Sequence, residues 1–510
     1  MRSPSGALSR IVLPIAGVVV LIAFWQLAGT TQLLGRSVPP PTEVLAALAE
    51  RGDVLWRATL ATSQRALVGG LIGYAIGLVL ASITAWFPRS TTPLVRTTVL
   101  INAIPIVAIG PVLMTGAARP FIPEIFAALS VLFSTTLATS DGFRTVSRAG
   151  RDVFRVFGAT RLQRFVRLEA PSALPMAADA LRLAVPAAIL GAILGEWFGA
   201  ERGLGVVMVS SMRNVQYGQL WAAALITVLV SVVFYALATL LEKSATRRFG
   251  RTGETPSAVP ALSRGLATVI GIAIPLALVV AWQLWVLLGR VPLIVAPQPL
   301  QVVAALGDGA LDLLAAAGLT TLSALGGLLC GALVGLALAV VVTLVPWLAS
   351  MLSPLALVIP TVPIVVFIPV IGGMLGYGMQ TVFASCVLMA FFPLYVLALS
   401  GLRARPLGSD DLFSVYGAGR VKRLVRLALP ASVPSLLVAI RLAAANCFLI
   451  ALSAEWLMGE GGLGRVFSER RVMLDTAGSW AAVAVAIVLS VLAYAGAALL
   501  EKKLLARWGA

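Results

Sequence analysis

The chain has 510 residues, of which 59% are hydrophobic and only 12% charged, and its mean hydropathy is +0.99. A soluble domain carries about 25% charge, so a soluble fold is excluded and an all-α integral membrane protein is expected. The net charge of +17 is collected in a few loops, the pattern of cytoplasmic segments and not of a nucleic-acid surface, so no nucleic-acid partner is expected.

In chain order, the first apolar run, Ile11 to Gly29, has a basic flank like a signal peptide. It holds Gln26, lacks a small-residue cleavage site and recurs around Trp282-Gln283-Leu284, so a retained helix is expected. Further spans are expected at 58–86, 94–115, 121–143, 174–200 and 219–241. These six, with the first at 11–30, make a unit over residues 1–241. A linker rich in Gly, Ser, Pro and Arg follows at 242–264, reading as a flexible tether. Residues 265–510 then read as a second unit, with spans at 265–289, 317–349, 355–376, 378–402, 433–459 and 477–501.

The two units repeat each other. Gly158-Ala159-Thr160-Arg161-Leu162-Gln163-Arg164 returns 259 residues later as Gly417-Ala418-Gly419-Arg420-Val421-Lys422-Arg423. The same shift takes Pro175 to Pro434, Arg182 to Arg441, Glu196-Trp197 to Glu455-Trp456 and Glu242-Lys243 to Glu501-Lys502. Such a shared offset means homologous halves. Six spans per half leave both halves in one orientation, a parallel repeat with a pseudo-two-fold axis along the membrane normal. Charge placement agrees. Seven arginines lie between Arg144 and Arg167, and six basic residues between Arg403 and Arg426, so these loops, the linker and both termini are expected on the cytoplasmic side.

The basic loop before the fifth span contains Asp152-Val153-Phe154, Gly158, Leu168 and Pro171, and its repeat contains Asp411-Leu412-Phe413, Gly417, Leu427 and Pro430. This spacing resembles the "EAA" loop of ABC importer permeases, with Asp in place of the first Glu and bulky residues in place of both alanines. The resemblance covers nearly the whole chain and is closest to the nitrate/sulfonate/taurine-type permeases. It rests also on Pro39-Pro40-Pro41-Thr42-Glu43 and Pro297-Gln298-Pro299-Leu300-Gln301. Gly195-Glu196-Trp197 with Gly203-Leu204-Gly205, and Ala454-Glu455-Trp456 with Gly462-Leu463-Gly464, add to it.

The resemblance implies the type I importer architecture in a bacterial inner membrane. It implies two copies of a cytoplasmic ABC ATPase, which carry the ATP and Mg, an extracytoplasmic solute-binding protein, and a small solute such as a sulfonate, nitrate, taurine or a vitamin precursor. The residues expected to dock the ATPase are Asp152, Phe154, Gly158, Ala159, Arg161, Arg164 and Pro171, with Asp411, Phe413, Gly417, Ala418, Arg420, Arg423 and Pro430. Gly158 and Gly417 would form tight turns, and Pro171 and Pro430 would end a helix before the next span. A basic amphipathic element also suits an interfacial helix on anionic lipid.

No catalytic centre is expected on this chain. None of its four lysines follows a glycine, which the phosphate-cradling G-x-x-x-x-G-K-[ST] loop requires. Histidine is absent, which removes His acid–base chemistry and His metal sites. Cys330, Cys386 and Cys447 lack metal-ligand spacing and read as packing residues, so neither a metal nor a cofactor is expected.

Within the membrane, Gly69-Gly73-Gly77 and Gly327-Gly331-Gly335 are placed for close helix packing. Asn102, Pro105 and Pro111, with Pro363 and Pro369, are candidates to line a pathway through the third spans. Glu196 and Glu455 are read either as acceptors for the backbone N–H groups of the following Gly-Leu-Gly turns or as an outer gate. Arg182 lies 14 residues before Glu196, about 21 Å along a helix, too far to pair. Twelve spans in two parallel halves also describe a secondary active transporter, and a non-transporting scaffold is a further alternative. Against the former stand the missing carboxylate relay and a longest basic loop that follows span four.

Overall fold

The computed structural model describes residues 5–33, 35–87, 118–250, 264–345, 366–405 and 408–507, with isolated positions between 91 and 114 and at 347 and 348. The first unit contains α1 (Ser5–Thr30), α2 (Pro41–Glu50), α3 (Gly52–Trp86), α4 (Ile122–Arg144), α5 (Arg148–Val156), α6 (Arg161–Glu196), α7 (Leu204–Arg213) and α8 (Tyr217–Phe249). The second contains α9 (Arg264–Leu288), α10 (Pro299–Asp308), α11 (Ala310–Leu344), α12 (Phe367–Leu375), α13 (Met379–Arg403), α14 (Ser409–Val415), α15 (Arg420–Met458), α16 (Leu463–Val472) and α17 (Thr476–Arg507). No strand occurs among the described residues.

Helices α3, α4, α6, α8, α11, α13, α15 and α17 are long and apolar enough to cross a bilayer. Helices α1 and α9, of 26 and 25 residues, stand at the places of the two first spans. The third spans fall largely outside the described residues, and so do Asn102, Pro105, Pro111 and Pro363. Pro369 is described, buried on α12.

In each unit the fourth span, α4 or α13, packs between the second and the fifth. Glycine makes this possible. A Cβ on Gly69 or Gly73 would collide with the backbone carbonyls of Glu124 and Ala128 on α4. In the second unit a Cβ on Gly327 would meet Cβ of Cys386, and one on Gly331 the carbonyl of Val387 at 2.6 Å. Only a hydrogen at these positions lets the helix backbones approach. Cys386 and Cys447 are buried packing residues between α13 and α15, while Cys330 is half-buried.

Two expectations about edges are corrected. The first unit does not end at 241: α8 continues to Phe249, with Arg247 and Arg248 in its last turn, and stops at Gly250, whose φ is +70°. Basic side chains suit the negative end of the helix dipole, and glycine accepts the left-handed cap. Nor do Pro171 and Pro430 end a helix. The docking-loop helix runs into the fifth span without a break, through a π-helical stretch at Phe165–Glu169 and at Leu424–Ala428. There the N–H of Ala170 donates to the carbonyl of Phe165, and that of Leu429 to Leu424. The wider π turn makes room for the following proline, which lacks a donor and would clash in a regular α-helix.

The units share one core. Helix α12 of the second packs on α7 and α8 of the first, and the buried cluster that holds Ala192 and Ile193 also holds Ala451 and Ala454.

Candidate functional site

Each basic loop is built the same way. Helix α5 ends in a turn where Gly158 adopts φ +65° and the N–H of Ala159 donates to the carbonyl of Phe154 at 2.9 Å. In the second unit Gly417 has φ +65° and Ala418 donates to Phe413, again at 2.9 Å. This six-to-one bond around a left-handed residue is a Schellman cap, so the matched glycines serve chain reversal. Phe154 and Phe413 are half-buried beneath the loop, whereas Asp152 and Asp411 are exposed. Asp152 pairs with Arg155 at 3.0 Å on the loop surface.

The arginines differ in use between the halves. In the first, the Arg161 guanidinium lies over the rings of Trp86 and Phe87, at 5.4 and 5.5 Å from their centroids. Arg164 pairs with Glu169 at 3.0 Å, and Phe165 stacks between Trp86 and Phe143. These contacts fasten the loop to the bundle. In the second, Arg420 and Arg423 instead line an open cleft with Arg405.

The residues expected to dock the ATPase leave out the apolar tip of each loop. Val156 and Phe157 are each 84% exposed, and their counterparts Val415 and Tyr416 are 83% and 79% exposed. Val153, Leu162 and Val166, with Leu412, Val421 and Val425, extend the exposed surface of each loop. Hydrophobic side chains presented at matched positions beside basic ones mark an interaction surface. Their repetition at the 259-residue shift was the signal available in the sequence.

Glu196 and Glu455 sit at the other end of the bundle, each 1% exposed. Glu196 accepts from the hydroxyl of Thr62 at 2.7 Å and from the N–H of Gly205 at 2.8 Å. Glu455 accepts from Thr320 and from the N–H of Gly464, both at 2.9 Å. The two hydroxyls in turn accept from the N–H groups of Leu204 and Leu463. The carboxylates therefore hold the Gly-Leu-Gly turns in place. Gly203 and Gly462, at φ +136° and +88°, press so closely on them that any Cβ there would strike the carboxyl group.

Among the described residues only the first carboxylate has a cation beside it, Arg65 at 3.3 Å; Ser323 stands at the repeat position. Next to them Trp197, Phe198 and Trp456 pack across the boundary between the halves, with Phe198 and Trp456 stacked at 4.5 Å. Arg182 and Arg441, at the basic-loop end, pair with Glu242 at 3.7 Å and Glu501 at 3.0 Å. That contact gives the repeated glutamate at the end of each unit a role. No group of residues suited to hold a metal ion occurs among the described residues.

Comparison with known proteins agrees with this duplicated helical architecture. Residues 73–247 and 327–506 each match the family described as "Binding-protein-dependent transport system inner membrane component". A probable ABC transporter permease protein of Haemophilus influenzae is 31% identical over 228 residues, which are 93% of that protein but 44% of this chain. The formylaminopyrimidine transport permease protein ThiX of Halalkalibacterium halodurans is 27% identical over 90% of its length and 44% of this chain. A putative aliphatic sulfonates transport permease protein, SsuC of Bacillus subtilis, is 25% identical over 88% of its length and 48% of this chain. Each relative is thus the size of one unit, and the family match leaves the secondary-transporter and scaffold alternatives without support. The chain belongs to the binding-protein-dependent ABC transporter permeases of the inner membrane, and it carries two permease units fused in one multi-pass polypeptide.

Proposed function

We propose that this chain forms a two-unit translocation pathway of an ATP-driven importer, and that its two basic loops dock two copies of a separate cytoplasmic ATPase. The observation that carries the reading is the pair of apolar tips, Val156-Phe157 and Val415-Tyr416, exposed at equivalent positions among arginines. An apolar knob on a helical element suits a groove in a partner subunit. The continuous helix from each loop into the fifth span supports mechanical coupling. Displacing Arg161–Arg164 or Arg420–Arg423 moves the helix that carries Glu196-Trp197 or Glu455-Trp456.

In this reading the basic loops and both termini face the cytoplasm, and ATP and Mg stay on the partner. A solute-binding protein delivers a small anionic or heterocyclic solute to the end closed by Phe198 and Trp456. The names of the relatives point to such solutes: formylaminopyrimidine, riboflavin and aliphatic sulfonates. ATP binding draws the loops together and shifts the halves between two access states. Replacing Phe157→Asp and Tyr416→Asp together tests the docking. The expected result is a folded, monodisperse membrane protein that no longer co-purifies with the ATPase encoded beside it. Undiminished co-purification overturns the assignment.

A further inference from the structure

Trp197 and Trp456 stand at matched positions just past the two buried carboxylates, with ring centroids 6.3 Å apart and planes within 29° of parallel. Phe198 lies face to face with Trp456, at 4.5 Å and 9°. The second unit has Leu457 where the first has Phe198, so the duplication yields one pair of opposed flat faces and not two. Phe198 is fixed by the edge of Phe126, at 5.6 Å, while Trp197 and Trp456 are only half-buried. The indole N–H of Trp197 is itself buried and has no hydrogen-bond partner among the described residues. Charge is scarce around these rings. Arg65, the cation beside Glu196, is already engaged by Glu196, Glu124 and the carbonyl of Arg202. The third spans expected at 94–115 and 355–376 carry a single charged residue, Arg96.

We infer that this ring cluster is a selective contact of the pathway, and that it takes a planar, uncharged nitrogen heteroaromatic in preference to a sulfonate or nitrate. The inference rests on the importer reading above, in which the halves shift between two access states. Trp456 lies in the last turns of α15, and Trp197 and Phe198 directly follow α6. Moving the fifth spans apart therefore draws Phe198 from Trp456. A separation wider by one ring thickness, about 3.5 Å, receives a flat solute with an aromatic face on each side. Such stacking rewards a planar π-system and gives nothing to an alkyl chain. A buried indole N–H ordinarily has an acceptor, and a ring nitrogen or carbonyl of the solute supplies the one that Trp197 lacks. An alkyl sulfonate has no flat face to stack. Nitrate is flat, but both anions would leave water beside a guanidinium whose charge is already matched, and burying an unpaired charge is costly. With one pair of opposed faces, the chain holds one such solute at a time.

The test uses the full-length chain in nanodiscs with the ATPase encoded beside it, held by a non-hydrolysable ATP analogue. The probes are 4-aminopyrimidine, at a mildly alkaline pH where it is uncharged, and ethanesulfonate. Saturation-transfer NMR is expected to show binding of 4-aminopyrimidine to the analogue-bound complex and none of ethanesulfonate. Trp456→Leu should weaken that binding about fivefold. Trp197→Phe keeps a ring and removes only the N–H, and it should weaken binding about threefold while the complex stays monodisperse. Trp285→Leu, the loss of an exposed indole elsewhere, should change nothing. Equal transfer to the two probes, no transfer to 4-aminopyrimidine, or indifference to both Trp456→Leu and Trp197→Phe overturns the inference. Association with the ATPase is scored before any probe is added. A failure of the importer reading therefore shows as a missing complex and takes the inference with it, whereas a formed complex without selective transfer defeats the inference alone.

Discussion

Phe198 lies flat on Trp456 across the boundary between the two halves, with centroids 4.5 Å apart and planes within 9°. Phe198 is 3% exposed, and its ring occupies the space a Cβ on Gly110 would need. The repeat places Leu457 at the position of Phe198, so the symmetry-related contact of Trp197 with residue 457 is not a ring pair. Trp197 also stacks on Trp456, at 6.3 Å, so three rings meet across the boundary between the units. Phe198→Ala should cost about 3–5 kcal/mol of stability. It should also raise ATP turnover in the absence of solute, as measured on the reconstituted complex. Unchanged basal turnover in a folded variant would show that the stack is packing alone.

The two buried carboxylates should respond unequally to neutralisation. Glu196→Gln takes the carboxylate from Arg65, which keeps Glu124 at 4.0 Å and the carbonyl of Arg202, so the loss should be that of a charged hydrogen bond, about 1.5–3 kcal/mol. Glu455→Gln removes no ion pair, because Ser323 stands where Arg65 would be. Its cost should be about that of one perturbed hydrogen bond, roughly 1 kcal/mol. Thermal unfolding of the two variants in the same detergent checks the order.

The glycine contacts carry a sharper expectation. Gly73→Ala drives a Cβ into the carbonyl of Ala128, backbone that cannot rotate away, at a cost of about 1–3 kcal/mol. Gly158→Ala meets nothing within 4 Å, and its penalty comes only from φ +65°, about 1 kcal/mol. Urea or thermal titration should therefore rank Gly73→Ala as the more damaging change.

Arg441 and Glu501 join the fifth and sixth spans of the second unit at 3.0 Å, as Arg182 and Glu242 do in the first at 3.7 Å. The glutamates are mostly buried, and each arginine also lies over a tyrosine, Tyr494 or Tyr235. Double-mutant cycles across each pair should give coupling of about 0.5–3 kcal/mol. A coupling near zero for both would remove the reason for the repeated glutamates.

Side-specific labelling checks the common orientation of the loops. Cys386 and Cys447 are buried and give little background, so cysteine placed at Phe157 or Tyr416 in a Cys330→Ser chain reports loop position. Both positions should react from one side of the membrane, and that side should be the one holding the ATPase. Reaction from opposite sides would break the parallel arrangement.

Composition and repeat spacing alone determined that this is a duplicated helical membrane protein, because hydrocarbon demands internally satisfied backbone and long apolar runs whatever the packing. The loop glycines and the Gly-Leu-Gly turns were legible too, since a left-handed residue restricts the amino acid locally. The ends of helices were less so: Pro171 looked like a stop, yet a π turn absorbs it, a solution that depends on five residues of context. Only the tertiary structure decided which groups meet. Thr62 and Glu196 are 134 residues apart in the chain, and Phe198 reaches Trp456 from the other half. Whether Arg161 faces a partner or folds back on Trp86 likewise depends on where the end of α3 lies. Such pairings are set by the summed packing of helices whose apolar faces are nearly interchangeable in sequence, so no local pattern encodes them.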